Sequence, residues 1–254
     1  MSELDVLERK WRTFNSSSDY AAWLDCRFAK GSLKLHPRVG LSGAGRALAS
    51  AYYEAGGVLD IRSYDWPPGP PPREQDLQRA ILSTFARLSE ERRGKFSRII
   101  SEDFRGRPCS YQEFLGWGYD HRNHCLALRG ASSPYLNDYF IFPYEETEAN
   151  IVQCADLASE WDPDCEREEA KGYAYAFSQP PYGLRLDSRE TNLLFSALNQ
   201  ELFGEFGPEL RLHAWDTHWC QYFEAGREWW GEFLWTIHRP ATNYITIIAG
   251  SSTD

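Results

Sequence analysis

Apolar and polar positions along this chain change period several times, and each change marks an element. Leu4, Leu7, Trp11 and Phe14 recur at helical spacing until the polar run Asn15-Ser16-Ser17-Ser18 ends the pattern. Asp19 then stands as N-cap of a second short helix carrying Tyr20, Trp23, Leu24 and Phe28. After the glycine-rich stretch 40–45, alanine-rich sequence predicts a capped helix ending at Gly56-Gly57, and Val58-Leu59-Asp60-Ile61 predicts a strand. From Glu74 onward Leu77, Ile81, Phe85 and Leu88 line one side of a helix, and Phe96, Ile99 and Ile100 extend that side past Gly94. Residues 111–115 predict a helical turn, while 138–142 and 173–177 predict strands. Asp187-Ser188 caps a further helix whose inward stripe is Leu193, Leu194, Leu198 and Leu202, closed by Gly204.

The period falls to two near the C-terminus. Trp229, Gly231, Phe233, Trp235 and Ile237 alternate with Glu228, Trp230, Glu232, Leu234 and Thr236, which predicts a strand with two distinct faces. Glu224-Ala225-Gly226-Arg227 precedes it as a hairpin loop in which Gly226 supplies a positive φ, and the turn 239–243 leads into the strand 244–249. With 210–223 these strands form a three-stranded antiparallel meander. Five of the ten tryptophans fall between 215 and 235, and each can bury roughly 150–250 Å², so the meander anchors the fold. The expected class is α+β: an N-terminal helical region, then a mainly antiparallel sheet ending in the meander. Trp66-Pro67-Pro68-Gly69-Pro70-Pro71-Pro72 favours stiff polyproline II and divides the chain into a helical lobe (1–66), a connector (67–73) and an α+β body (74–254), or else lies within one continuous domain.

Composition narrows the class of protein. Aromatic residues at 15% and hydrophobic residues at 42% describe a packed globular chain. The first ten residues are charged and have no apolar h-region, and no apolar run approaches the ~20 residues that cross a bilayer. The six cysteines are scattered without a CxxC pair, which fits reduced thiols in the cytoplasm. Net charge is −10, and it is not evenly spread. Segment 145–169 holds ten acids and one base, Arg167, for a net −9, which leaves −1 for the rest of the chain. A nearly neutral body with one acidic patch disfavours nucleic acid as a partner.

Several short constellations carry chemistry. Asp120-His121-Arg122-Asn123-His124-Cys125 and His213-Ala214-Trp215-Asp216-Thr217-His218-Trp219-Cys220 contain metal-ligand types, and on a strand Asp216, His218 and Cys220 would share a face with zinc or iron donors. His121, His124, Asp216, His218 and Cys220 are therefore the metal candidates, although neither cluster has a standard spacing and no metal or other cofactor is expected. The alternation Asp162, Asp164, Glu166, Glu168 suggests calcium ligands, but Arg167 stands where an EF-hand loop needs glycine. Gly40-Leu41-Ser42-Gly43-Ala44-Gly45 before a helix resembles a dinucleotide-binding turn, with Leu48 at the third glycine position. Phe177-Ser178-Gln179-Pro180-Pro181-Tyr182 resembles the (Asp/Asn/Ser)-Pro-Pro-Tyr motif of amino-group methyltransferases. That resemblance implies that the side chain before the prolines and a proline carbonyl accept the target amine's hydrogens. Gln179 replaces the shorter acid or amide of that motif, and 58–61 lacks the glycines of an S-adenosylmethionine loop.

With no complete catalytic signature, the sequence supports a non-enzymatic cytoplasmic interaction protein, of the immunity or inhibitor kind, that meets a basic protein partner through its acidic patch. The expected contact residues are Trp161, Asp162, Asp164, Glu166 and Glu168, with Trp230 and Leu234 as a second, apolar surface on the outward face of the meander. The alternative is an enzyme using His, Cys and Asp from 120–125 and 213–220, or a methyltransferase-like protein using Gln179-Pro180-Pro181-Tyr182.

Overall fold

A computed structural model describes residues 42–66, 70–91, 104–116, 118–121, 125–126, 171–204, 207–227, 230–240 and 244–252. The helices expected before residue 40, the apolar continuation at 96–100, the strand at 138–142 and the whole acidic segment 145–169 lie outside these residues.

The elements in chain order are α1 (Gly43–Glu54), β1 (Asp60–Asp65), α2 (Glu74–Glu91), β2 (Gly106–Cys109), α3 (Tyr111–Leu115), β3 (Tyr119–Asp120), β4 (Cys125–Leu126), α4 (Tyr173–Ser178), α5 (Ser188–Phe203), β5 (Arg211–Trp215), a 3-10 helix (Gln221–Gly226), β6 (Glu232–Arg239) and β7 (Tyr244–Ser251). Five strands form one antiparallel sheet in the order β1-β7-β6-β5-β2, and β3 pairs with β4 apart from it. The class is α+β, as the period changes indicate. β5, β6 and β7 are consecutive neighbours, so the C-terminal meander forms the centre of the sheet. β1 pairs with β7, so residues on both sides of the proline-rich stretch share one sheet, and the Trp66 indole N–H closes that stretch onto the Pro70 carbonyl at 3.1 Å.

β6 is buried on both faces, and each face carries its own helical layer. Phe233, Trp235 and Ile237 point into a core with Leu48 and Tyr52 of α1, Phe114 of α3, Tyr173 and Phe177 of α4, and Leu194 and Leu198 of α5. Leu234 points the other way, joining Ile245, Ile247 and Ala249 of β7 against Leu77, Ile81, Phe85 and Leu88 of α2 and against Trp219 and Phe223. The amphipathic stripe of α2 thus lies where its spacing places it. α5 also follows its sequence: Asp187 Oδ1 accepts the Glu190 N–H at 2.7 Å while Glu190 Oε2 accepts the Asp187 N–H at 3.1 Å, a reciprocal cap.

Four details differ from the sequence reading. Residues 173–178 are helical, not a strand, and no cis bond occurs in the Pro-Pro turn or elsewhere among the described residues. Tyr173 and Phe177 are four apart and fall on one helical face, with Tyr173 stacked on Phe114 at 5.0 Å. A five-residue alternation of aromatic and alanine fits either period, and burial of Ala174 and Ala176 as well as of Tyr173 and Phe177 excludes a strand with one wet face. The second is the extent of β5, which stops at Trp215: Phe85 draws Trp219, Tyr222 and Phe223 beneath α2 with ring centroids 5.1–5.3 Å away, and the chain curls into the 3-10 helix. Third, Gly231 takes the positive φ, 133°, in place of Gly226. Gly226 is needed for close approach, since a Cβ there would sit 2.1 Å from the Gly231 carbonyl oxygen. The fourth follows from Gly231: the pleat breaks before β6, and Trp230 packs in the same core as Phe233, ring centroids 5.1 Å apart, instead of beside Leu234.

The outer edges of the sheet are partly closed. At β2, Asp216 donates its N–H to the Arg105 carbonyl at 3.0 Å, so the alternate residues Gly106 and Pro108 turn their backbone outward. Pro108 has no N–H, and the Gly106 N–H meets Glu74 Oε1 at 3.4 Å. At β1, the Tyr53 hydroxyl accepts the outward Ile61 N–H at 3.3 Å and donates to the Leu59 carbonyl at 2.8 Å.

Trp235 stacks on Phe233 at 5.3 Å and meets Phe114 edge-on at 5.5 Å. Trp235→Ala should lower unfolding free energy by about 3–5 kcal/mol, seen as an early urea midpoint. An unchanged midpoint would mean that this face does not hold the core. Asp187→Ala should cost about 1 kcal/mol by the same assay.

Candidate functional site

The residues proposed as contacts from sequence divide into two groups. Trp161, Asp162, Asp164, Glu166 and Glu168 lie outside the described residues. Trp230 and Leu234 are core: they are 4% and 2% exposed, and the Trp230 indole N–H donates to the Gln179 carbonyl at 2.6 Å. Neither offers a surface, because α2 and the 3-10 helix cover the Leu234 face and Gly231 turns Trp230 inward.

The proposed metal donors do not converge. Past Trp215 the chain leaves the sheet, so Asp216, His218 and Cys220 do not share a strand face. Asp216 Oδ2 accepts the Arg105 N–H at 3.2 Å, His218 is exposed and Cys220 is buried. His121 packs between the rings of Tyr111 and Tyr119, with centroids 5.6 and 5.1 Å away. His124 lies outside the described residues. No group of three His, Cys, Asp or Glu side chains able to hold a metal occurs among the described residues. The three thiols among the described residues are equally unsuited to nucleophilic work. Burial, with help from Glu113 and against Arg107, pushes Cys109 up to about 11, burial raises Cys220, and Cys125 is fully enclosed.

The two nucleotide-type motifs occupy unrelated settings. Ser42 caps α1 by accepting the Gly45 N–H at 2.8 Å, and its hydroxyl donates to Glu201 Oε2 at 2.6 Å. A carboxylate of α5 therefore already stands at the helix N-terminus where a phosphate would go. β1, which follows, pairs antiparallel with β7 instead of in a βαβ unit. Gln179-Pro180-Pro181-Tyr182 follows the end of α4 rather than a strand. The Gly183 N–H closes it on the Pro180 carbonyl at 2.8 Å, and Tyr182 projects outward, 75% exposed. No helix among the described residues is long and apolar enough to cross a membrane.

The structure assembles a polar corner that strand reading alone missed. Arg211 lies opposite His238 and His213 opposite Thr236 on the paired β5 and β6. All four side chains share the face that carries α2, where Trp215 Nε1 donates to Thr236 Oγ1 at 2.9 Å. His238 is 5% exposed and His213 half-buried. The Nδ1 atoms of both are buried with no hydrogen-bond partner among the described residues. Burial lowers both imidazoles from the ordinary histidine value; Arg211 lowers His238 further, and Glu74 partly offsets the effect on His213. The signal lay in the alternation Arg211, His213, Trp215 on one strand, but joining it to His238 required the register.

The comparisons with known proteins are silent: the sequence matches no family model, and no curated protein or solved structure is found similar to it.

The two imidazoles set a pH dependence. Both are held below the ordinary value of 6.5, so between that value and their folded values the unfolded chain binds more protons than the folded one. Stability contributed by the neutral rings is complete above 6.5 and falls as pH drops through the interval below it. Urea midpoints measured from neutral to mildly acidic pH should show this loss, and His238→Gln should flatten it. An identical slope in the variant would remove His238 from the account.

Proposed function

We propose that the chain is a non-enzymatic, cytoplasmic interaction protein, of the immunity or inhibitor kind, that binds a basic protein partner. The observation that carries this reading is the concentration of nine of the ten net negative charges in 145–169. Charge needed only for solubility has no reason to gather in one tenth of the chain, whereas a field of one sign steers an oppositely charged partner and selects it. Trp161 stands among Asp156, Glu160, Asp162 and Asp164. An aromatic anchor inside a charged rim is the usual anatomy of a protein contact. Since Trp230 and Leu234 are core, Trp161 carries the apolar share of the contact in this reading. The raised thiols and dispersed donors lend no support to the His/Cys/Asp enzyme alternative.

The test needs a partner recovered by pull-down from the native host, then association kinetics across a salt series. A variant with Asp162→Asn, Asp164→Asn, Glu166→Gln and Glu168→Gln should associate more slowly, on the order of tenfold at low salt. Its rate should depend less on salt, since screening acts over ~8–10 Å. Dissociation and unfolding midpoint should change little. Equal on-rates and equal salt slopes for the two proteins would reduce the segment to solvated surface.

A further inference from the structure

Arg211, His213 and His238 present a set of donors with no acceptor. Directly opposed residues on antiparallel strands have Cβ atoms about 4.5–5.5 Å apart and diagonal ones about 7–8 Å, so Arg211 stands directly across from His238 and His213 is their diagonal neighbour on the same sheet face. Arg211 is exposed and forms no hydrogen bond or ion pair among the described residues. Its guanidinium carries five donors in a planar fork and no acceptor. Beside it, His238 is more than nine-tenths buried yet leaves Nδ1 unpartnered, as does His213. Buried polar atoms are mostly satisfied, and here two exceptions fall on adjacent strands next to an unpaired cation, a combination that an anion would complete.

We propose that Arg211, His213 and His238 form a binding site for a small oxyanion, a phosphate or carboxylate group. The Arg211 fork supplies charge and paired N–H donors, and the two imidazoles donate N–H groups to the remaining oxygens. Glu74 of α2 approaches His213, but its Oε1 is directed to the Gly106 N–H. Asp60 and Tyr222 are bonded to each other at 2.8 Å, and Arg62 and Tyr64 stand with Asp60 on β1, with β7 between them and β6. At neutral pH the imidazoles are neutral, so the positive charge of the corner is that of Arg211, with the Glu74 carboxylate on the His213 side. Each imidazole that gains a proton adds charge and a second donor, so anion binding tightens as pH falls through the histidine range, and a bound anion in turn raises both imidazoles. None of the three residues belongs to the acidic segment or to the contact proposed for it.

The experiment is histidine-resolved NMR on the whole chain, with inorganic phosphate and, separately, acetate titrated against chloride of equal ionic strength at about pH 6 and about pH 8. Two of the six histidine signals, identified by their loss in His213→Gln and His238→Gln, should shift and saturate in the millimolar range, more tightly at the lower pH. Arg211 is exposed, so Arg211→Gln should fold normally and weaken binding about tenfold or more. Should His238→Gln fail to fold, His213→Gln and Arg211→Gln still carry the assignment and the affinity comparison. A response to both anions defines a general oxyanion site, and a response to phosphate alone defines a phosphate site. Shifts no larger than in chloride, or unchanged affinity in Arg211→Gln, would overturn the proposal.

Discussion

The structure depends on β6 being buried on both faces. An antiparallel sheet often packs one side and wets the other, but here Trp235 with its neighbours and Leu234 with its neighbours both need cover. Two helical layers follow from that requirement. One is built from α1, α3, α4 and α5 and is dominated by stacked rings; the other is built from α2 and the 3-10 helix. Several polar groups caught between the layers are tied in pairs, Ser63 to Thr246 at 3.0 Å, Tyr64 to Thr84 at 2.7 Å and Tyr222 to Asp60 at 2.8 Å. These pairs offset the desolvation of the side chains that form them, which His213 and His238 do not share.

Much of this was legible because long periodic segments leave little choice. The stripes of α2 and α5, the cap at Asp187 and the three C-terminal strands follow directly from spacing. The shorter elements were decided by tertiary packing. Five residues of aromatic-alanine alternation in α4 satisfy two periods equally, and a stacked partner at Phe114 settled the matter. Trp230 looked like the outward neighbour of Leu234 because period two was carried back through Gly231, whose positive φ resets the face. A glycine inside a strand pattern is a warning of this kind.

The candidate site was less legible, for a different reason. Linear clusters such as 213–220 invite a reading as contiguous ligands, yet the chain turns away from the sheet in the middle of that run. The grouping that does form, Arg211 with His213 and His238, joins residues brought together only by strand register. Register is set by the hydrophobic pattern of whole strands, so no short motif announces such a grouping. The acidic segment is the opposite case: its charge is plain from composition, and composition is where its support lies.

The treatment of the sheet edges bears on how this protein can live in a concentrated solution. A bare edge is a template that any extended chain can extend, including a second copy of the same molecule. At β2 a proline offers no hydrogen and a glutamate from α2 engages the hydrogen that remains; at β1 a tyrosine hydroxyl stands in for the missing strand. Recognition by backbone addition is therefore obstructed at these points of the five-stranded sheet. A sheet finished in this way leaves the tryptophan-rich interior out of reach of stray strands.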